Sequence, residues 1–343
     1  MSPARWLRDR PADDRLLAVD VASGARVDAH VRDLPSFLRA GDVVVVNDAA
    51  TLPASLDVRR GDELFELRLA SRISESSGWA VAFGAGSWRT PTEKRAMPPE
   101  LKVGDALVVV RTDVVLHVTE SLLGRLVRIS WESSQEDVLG AVYAEGRPIQ
   151  YSHVDRDMPL WAIQTPLASR PWAVEMPSAG RSLGPTIVSG LRHIGVEVHR
   201  LTHAAGLSSS GDPRLDAMLP LEEDYEIPVE TAVAVNAARD RGGRVIAVGT
   251  TVVRALESAG PNGRVEPGAG AATLKLDALY RRRVVDGLVT GFHEKGSSHL
   301  RLLSAFAPEA LLASTYEHAE TMGYLCHELG DVNLVVGAGR MGA

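Results

Sequence analysis

The segment from Gly242 to Glu257 constrains the fold of this chain more than any other. Its centre, Arg244–Gly249, reads Arg-Val-Ile-Ala-Val-Gly and is apolar on both faces of an extended chain, which is typical of a strand buried inside a sheet. Helices are predicted on either side of it, over Pro228–Arg241 and Val252–Ser258. This order of helix, strand and helix predicts a mainly parallel sheet that is covered by helices on both faces.

The same pattern occurs near the beginning of the chain and in its second half. Val43–Val46 is predicted to form another buried strand because four valines stand between turn residues. A helix over Leu183–Ile194, ending at Gly195, and a strand over Val196–Leu201 follow later. The remaining predicted elements are a helical turn at Leu34–Leu38, helices at Leu300–Phe306 and Pro308–Gly323, a strand at Val332–Val336 and a loop at Gly260–Gly270.

The residues between Leu56 and Tyr143 have a different pattern. Short alternating segments are separated by Gly, Pro, Ser and Asp, as in a small all-β module. These segments are Glu63–Leu69, Trp79–Phe83, Ala106–Arg111, Val114–Thr119 and Leu126–Trp131. We therefore predict an α/β domain over residues 1–55 and 148–343 that is interrupted by an all-β insert over residues 56–147.

Composition narrows the class of protein. The single cysteine, Cys326, excludes an intramolecular disulfide framework and a multi-thiolate zinc site. The ten histidines have neither His-x₃-His nor HExxH spacing, so no metal is predicted. A cytoplasmic protein is expected, because no apolar run reaches the roughly 18 residues of a membrane helix and the N-terminus lacks the apolar core of a signal peptide. The net charge of −7 argues against broad nucleic-acid binding, although Arg281–Arg283 forms a local basic run.

Polar residues follow the strand predicted at Arg244–Gly249. Ligands of open α/β sheets usually bind at the carboxyl ends of the strands, where Gly249 permits close approach of the backbone. Thr250 and Thr251 can present hydroxyl and N–H groups to a polar ligand, and Arg254 follows within one turn. The alternative is a capped turn between a strand and a helix, with an ordinary surface ion pair.

Two further segments are predicted to reach the same crevice. The loop Ala173–Arg181 precedes a helix whose amino terminus would favour a carboxylate group of a ligand. A strand end at Val43–Val46 delivers polar side chains to the same edge of the sheet. The candidate residues of these two segments are Asn47, Asp48, Ser178, Gly180 and Arg181.

Histidines occur in two other candidate segments. His203 stands at a strand end near a glycine, where a structural histidine is the alternative. The loop Thr290–Ser298 carries His293, Glu294 and Lys295, and so many polar groups are unusual in a simple connection. A serine hydrolase is not favoured, because the sequence lacks a GxSxG nucleophile elbow.

In this order, the segments resemble the S-adenosylmethionine:tRNA ribosyltransferase-isomerase family of queuosine biosynthesis. The resemblance is strongest over Gly242–Glu257. Other matching segments are Arg15–Asp20, Asp33–Asp48, Pro53–Leu56, Thr290–His293 and Leu303–Phe306. The resemblance implies an α/β main domain with a mainly parallel sheet, interrupted by an inserted small β-barrel domain.

The resemblance also implies a reaction. Family members transfer and isomerise the ribosyl group of S-adenosylmethionine onto a 7-aminomethyl-7-deazaguanine base in the tRNA anticodon, and adenine and methionine leave. The reaction is thought to begin with loss of a proton from C5′, which the neighbouring sulfonium acidifies, and it requires no metal. A general base is therefore needed. We expect His203, His293 and Glu223 to serve in acid–base catalysis.

The resemblance further implies binding partners. S-adenosylmethionine is the expected substrate, and a tRNA anticodon loop is the expected acceptor for a protein that we expect to be a monomer. The residues expected to bind S-adenosylmethionine are Asn47, Asp48, Ser178, Gly180, Arg181, Gly249, Thr250, Thr251 and Arg254. If tRNA is bound, the basic run Arg281–Arg283 should lie beside the cleft.

Several positions depart from the family motifs. Arg181 and Ser182 replace a leucine and a histidine, Glu294 and Lys295 replace a leucine and a proline, and Leu219–Glu226 lacks a pair of family histidines. Two other hypotheses therefore remain open. One is a paralogue that uses S-adenosylmethionine with a different small-molecule acceptor or as a lyase, and the other is a non-catalytic protein that binds S-adenosylmethionine.

Overall fold

The main domain is built on a mixed sheet. A computed structural model describes residues 1–294 and 296–337, and within them this sheet has nine strands. In spatial order the strands are Gly268–Ala272, Glu223–Ile227, Glu197–His203, Val43–Asn47, Val245–Val248, Gly287–Gly291, Val332–Val336, Arg15–Asp20 and Arg26–His30. The four strands from Glu197–His203 to Gly287–Gly291 run parallel, and an antiparallel pairing follows on either side of them. Beyond it, Val332–Val336 and Arg15–Asp20 again pair parallel.

The strand Val43–Asn47 occupies the middle of the parallel part. Its first and third valines pack in the core beneath the helices Val229–Asp240 and Thr250–Ala259. Its second and fourth valines pack in the opposite core, with the helix Pro185–His193. A continuous apolar run needs burial on both faces of the sheet, so the predicted α/β fold is confirmed.

The inserted module is a closed barrel, as the family resemblance implies. Within the described residues its strands are, in order around the barrel, Val115–Leu122, Leu126–Ser130, Ser77–Phe83, Glu63–Leu69, Ser55–Arg60 and Ala106–Val109. Alternating apolar side chains fill the interior. The helix Gln135–Glu145 packs against the barrel through Val138, so the prediction of an all-β segment up to Tyr143 is wrong. The domain limits 1–55, 56–147 and 148–343 remain our proposal.

Other short elements complete the structure. The remaining helices are Pro213–Asp216, Ser298–Leu303 and Glu309–Thr321, with 3₁₀ turns at Pro11–Asp13, Val31–Phe37, Thr92–Lys94, Leu160–Ile163 and Ser178–Gly180. Two pairs of short parallel strands are Ser2–Pro3 with Leu325–Cys326 and Ala49–Thr51 with Arg170–Ala173. Among the residues that the structure describes, no helix is both long and apolar enough to cross a membrane.

The prediction of a loop over Gly260–Gly270 is wrong for its last three residues. Gly268–Ala272 forms an edge strand that pairs with Glu223–Ile227. Its small residues are needed there, because a Cβ atom on Gly270 would lie 2.5 Å from the hydroxyl oxygen of Tyr225. Glycine has low strand propensity, so the sequence pattern alone does not indicate this strand.

Candidate active site

The parallel strands end at one edge of the sheet, and Asn47 connects three of these ends. Its Nδ2 donates to the carbonyl oxygen of His203 at 2.9 Å and lies 3.4 Å from Thr251 Oγ1. Its Oδ1 accepts from the backbone N–H of His203 at 2.9 Å. This buried amide therefore fixes the spacing of the crevice that the sequence predicts at the strand ends.

The turn after Val245–Val248 forms one wall of the crevice. Gly249 has φ +97° and ψ 150°, a conformation that residues with a Cβ atom rarely adopt. A Cβ atom here would lie 3.6 Å from Ala179 Cβ, so the Ser178–Gly180 turn packs against this glycine. The next helix begins at Thr250, and within the described residues no N-cap side chain accepts from its first N–H groups. A polar ligand can therefore use these groups.

Both carboxylate oxygens of Asp48 are engaged by other residues of the protein. One carboxylate oxygen accepts from Thr202 Oγ1 at 2.6 Å, and the other accepts from Ser169 Oγ at 2.9 Å. The second oxygen also lies 3.8 Å from Nε of Arg200. Asp48 thus holds neighbouring segments together at the crevice wall.

A buried ion pair lies behind the crevice. Glu223 Oε2 pairs with Arg254 Nη1, and less than a tenth of either side chain is exposed. Glu223 Oε1 also accepts from the backbone N–H of Gly206 at 2.6 Å, while Arg254 Nη2 donates to the carbonyl oxygen of Ala272 at 2.6 Å. Burial lowers the pKa of Arg254 to about 10. Arg254, predicted as a ligand contact, is therefore already engaged by protein groups.

His203 is fully buried beside this ion pair. Its Nε2 lies 3.7 Å from Glu223 Oε2, and neither ring nitrogen has a hydrogen-bond partner in the part of the chain that the structure describes. Burial, followed by the charge of Arg254, lowers the pKa of His203 to about 3. The imidazole is therefore neutral at neutral pH.

The buried, neutral His203 predicts a loss of stability in mild acid. In the unfolded chain the imidazole takes up a proton near pH 6.5, whereas in the folded protein it does so only near pH 3. The unfolded state thus binds more protons between these values, and the free energy of unfolding falls as the pH falls. Between pH 6.5 and 5 we expect this residue to contribute a loss of about 2 kcal/mol.

Denaturant unfolding at these two pH values measures the effect. The His203→Leu variant should lose about 2 kcal/mol less than the unaltered protein over this interval. The control is His117→Leu, since His117 is exposed on the barrel, and this variant should keep the full pH dependence. An unchanged pH dependence in His203→Leu would contradict the prediction.

His293 lies just after the strand Gly287–Gly291 and is half-buried. Its Nε2 lies 2.9 Å from Thr290 Oγ1, and its ring stacks on His299 with the centroids 4.8 Å apart. Burial, and then the neighbouring imidazoles of His299 and His327, hold the pKa of His293 well below its usual value. His293 is therefore unprotonated at neutral pH and can accept a proton.

The loop at residues 178–182 is tied to the N-terminal segment. Arg181 Nη2 lies 2.5 Å from Asp14 Oδ2, and the hydroxyl of Ser182 donates to the same oxygen. All three side chains are buried. Arg181 and Ser182 thus anchor the loop, and the Ser178–Gly180 turn is the part that lies beside Gly249.

Sequence reasoning missed a second polar group at the crevice. The ring of His153 stacks on that of His327, and Nε2 of His327 lies 3.2 Å from Oε1 of Glu294, the residue after His293. No local spacing reveals this group, because His153 and His327 are far apart in the chain. Lys295, which was predicted to share this loop, lies outside the described residues.

The basic run Arg281–Arg283 does not lie beside the crevice, so this prediction is wrong. The run precedes the strand Gly287–Gly291, whose opposite end reaches the crevice. Arg282 is engaged locally, since its guanidinium donates to the carbonyl oxygens of Val285 at 2.6 Å and Ala305 at 2.9 Å. The run therefore stabilises the other edge of the sheet.

Known proteins are similar to this chain over nearly its whole length. A family model described as "Queuosine biosynthesis protein" matches residues 4–335. The S-adenosylmethionine:tRNA ribosyltransferase-isomerase of Thermus thermophilus is 35% identical over 338 residues, which cover 95% of this chain and 94% of the relative. The enzyme of the same name from Acidithiobacillus ferrooxidans is 34% identical, covering 94% of this chain and 90% of the relative.

A solved structure has the same fold. The crystal structure of S-adenosylmethionine tRNA ribosyltransferase from Thermotoga maritima matches this chain with a TM-score of 0.54 and 23% sequence identity. The match covers 97% of this chain and 96% of the other chain. The arrangement of a main α/β domain with an inserted barrel is therefore shared.

Proposed function

The chain belongs to the queuosine biosynthesis protein family, and on this basis we propose that it is an S-adenosylmethionine:tRNA ribosyltransferase-isomerase. It transfers and isomerises the ribosyl group of S-adenosylmethionine onto a 7-aminomethyl-7-deazaguanine base of tRNA and releases adenine and methionine. The observation that carries the proposal is the match to the family over residues 4–335. The crevice at the carboxyl ends of the parallel strands supports it, because this is the usual ligand position in such sheets.

We propose that S-adenosylmethionine lies across the turn at Gly249. The absence of a Cβ atom lets the ligand approach the backbone closely, and Thr250 and Thr251 supply hydroxyl groups at the start of the helix. Ser178 and Gly180 contact the methionine part from the opposing turn. Asn47 holds the strand ends at the separation that this placement requires.

His293 is the proposed general base. It removes the C5′ proton, which the adjacent sulfonium acidifies, and its lowered pKa keeps the imidazole unprotonated at neutral pH. Thr290 Oγ1, 2.9 Å from Nε2, orients the ring. His203 is the second candidate for proton transfer, and a carboxylate oxygen of Glu223 lies 3.7 Å from its Nε2.

The reaction as proposed uses S-adenosylmethionine as a substrate and needs no metal for any of its steps. We further propose that the protein acts as a monomer, in the cytoplasm, where tRNA is its acceptor. The substitutions at Arg181 and Ser182 do not favour a different acceptor, because both side chains contact Asp14 within the protein.

A candidate surface for tRNA lies near Glu223. The guanidinium carbon of Arg72 lies 3.6 Å from the ring centroid of Trp172, and that of Arg170 lies 5.5 Å from it. Arg72 also lies 3.6 Å from Asp224, the residue after Glu223. Unpaired bases of RNA stack on aromatic rings and on guanidinium planes. We propose that this arginine–tryptophan stack contacts the anticodon loop.

The Arg72→Gln variant is expected to weaken tRNA binding. The glutamine side chain lacks the stacked guanidinium and its positive charge, so the affinity should fall and its dependence on salt should become weaker. Binding of precursor tRNA, measured by fluorescence anisotropy at several salt concentrations, tests this. Arg281→Gln is the matched control, since Arg281 is exposed at the opposite edge of the sheet. Equal weakening in both variants would contradict the proposed surface.

Product analysis by mass spectrometry tests the proposed function. The protein is incubated with S-adenosylmethionine and either tRNA carrying the deazaguanine precursor, tRNA carrying guanine at that position, or no tRNA. We expect adenine, methionine and a ribosyl-derived mass gain on the base in the first reaction alone. Release of adenine without tRNA would indicate an enzyme with another acceptor or a lyase. Binding of S-adenosylmethionine without any product would indicate a non-catalytic protein.

A further inference from the structure

Three potential metal ligands meet beside the crevice: His153 and the successive residues His327 and Glu328, which are distant from it in the chain. The rings of His153 and His327 stack with their centroids 4.4 Å apart, and Nε2 of His153 lies 3.4 Å from Oε1 of Glu328. One ligand atom from each of the three residues lies within 4.8 Å of the others. Ligand atoms around a tetrahedral zinc ion are about 3.3 Å apart. Side-chain rotations that move each ligand atom by roughly 1 Å would therefore bring the three atoms to this separation.

The cluster contains a buried polar atom that no hydrogen bond within the described residues satisfies. Nε2 of His153 is inaccessible to solvent, and within the described residues no group forms a hydrogen bond with it. A buried polar atom of this kind is costly unless a water molecule or an ion satisfies it. Oε1 of Glu328 lies 3.4 Å away, at ion-pair distance, and the Glu328 side chain is 27% exposed. The cluster is therefore shielded and still open to an entering ion.

The backbone places two of the ligands in succession. His327 has φ +69°, in the left-handed region that residues other than glycine seldom occupy. Its N–H donates to the carbonyl oxygen of Phe292 at 3.2 Å, and its own carbonyl oxygen accepts from Gly330 N–H at 2.9 Å. These bonds hold the uncommon conformation. Such conformations concentrate at functional sites, because the surrounding structure must stabilise them.

We propose that His153, His327 and Glu328 bind a divalent transition-metal cation of the zinc class. Two imidazoles and one carboxylate are a common ligand set for zinc, with the fourth position left to water or substrate. Imidazole nitrogen favours zinc, copper and nickel over calcium and magnesium. Glu294, 3.2 Å from Nε2 of His327, is placed to support that ligand from outside the coordination sphere.

This inference is independent of the proposed function. It concerns binding of a cation by the free protein, and no step of the ribosyl transfer depends on it. The site borders the crevice, because Glu294 directly follows His293 in the chain. Its ligands lie on the loops around Tyr151 and Gly330, which belong to the main domain rather than to the barrel strands.

Metal titration of the full chain, purified without a histidine tag and treated with a chelator, tests the proposal. We expect one equivalent of ZnCl₂ to bind in calorimetry. One equivalent of CoCl₂ should give the visible absorption of a four- or five-coordinate site. The variants His327→Asn, which tolerates the left-handed backbone, and Glu328→Gln should each weaken zinc affinity at least about tenfold.

His318→Asn is the matched control. His318 Nε2 lies 2.8 Å from a carboxylate oxygen of Asp28, so this variant also removes a histidine from a histidine–carboxylate pair. It should bind zinc as the unaltered protein does. An unchanged far-ultraviolet circular dichroism spectrum and a cooperative urea unfolding transition show that each variant is folded. The proposal is overturned if no stoichiometric binding occurs, or if His327→Asn and Glu328→Gln bind zinc as tightly as His318→Asn.

Discussion

Replacing His293 with asparagine is expected to lower the turnover number by about 10²- to 10⁴-fold, the usual contribution of a general base. Asparagine can keep a hydrogen bond to Thr290, whose Oγ1 lies 2.9 Å from His293 Nε2 in the unaltered protein. It cannot take up the C5′ proton. The affinity for S-adenosylmethionine should therefore change little while the chemical step slows.

Isotope release separates proton removal from the later steps. S-adenosylmethionine labelled with deuterium at C5′ is incubated with precursor tRNA, and loss of the label is followed together with ribosyl transfer. The unaltered protein should release the label, whereas His293→Asn should retain it. The control is His117→Asn on the barrel, which should behave as the unaltered protein does. Normal label release by His293→Asn would contradict its assignment as the base.

The pH dependence of the rate offers an independent test. A base acts in its unprotonated form, so the rate falls as the pH falls through the pKa of the base in the folded protein. Burial lowers the pKa of His293 well below its usual value of 6.5. The single-turnover rate should therefore be constant from pH 8 down to pH 6.5. A one-proton loss of rate centred at or above pH 7 would point to another base.

The central part of the fold could be predicted because its residues leave few alternatives. A run such as Val43–Val46 is apolar on both faces, so it must lie between two layers. The helix Gln135–Glu145 was missed although a signal for it exists. Ser134 Oγ accepts from the backbone N–H of Asp137 at 3.1 Å and caps the amino terminus of the helix. The sequence displays this signal as a serine followed three residues later by an acidic residue. The alternation of the barrel strands before it led the predicted all-β module to be extended over this segment instead.

The candidate site likewise contains some features that the sequence predicts and others that it does not. Asn47 and Gly249 could be predicted at the crevice, because strand order alone brings the ends of parallel strands together. The partners of the buried charged residues could not be predicted from the sequence. Arg181 and Arg254 were expected to face a ligand, but the structure pairs them with Asp14 and Glu223, which are distant in sequence. A sequence displays the charge of a residue but not the partner that burial requires.

Replacing Arg254 with methionine is expected to lower the free energy of unfolding by about 3–5 kcal/mol. Methionine fills much of the same volume, but it leaves the Glu223 carboxylate buried without its cation. The matched control is Arg264→Met, because Arg264 pairs with Asp240 on the surface with about 60% of each side chain exposed. That variant should unfold at nearly the same urea concentration as the unaltered protein, because solvent screens an exposed ion pair.

The double variant Arg254→Met, Glu223→Gln distinguishes a structural role from ligand binding. Glutamine keeps an acceptor for the N–H of Gly206 but carries no charge, so part of the lost stability should return. S-adenosylmethionine affinity is measured on the same proteins. If the affinity recovers with the stability, Arg254 acts through its ion pair with Glu223. If Arg254→Met unfolds like the unaltered protein and binds S-adenosylmethionine weakly, the guanidinium contacts the ligand, and the ion pair gives way when the ligand binds.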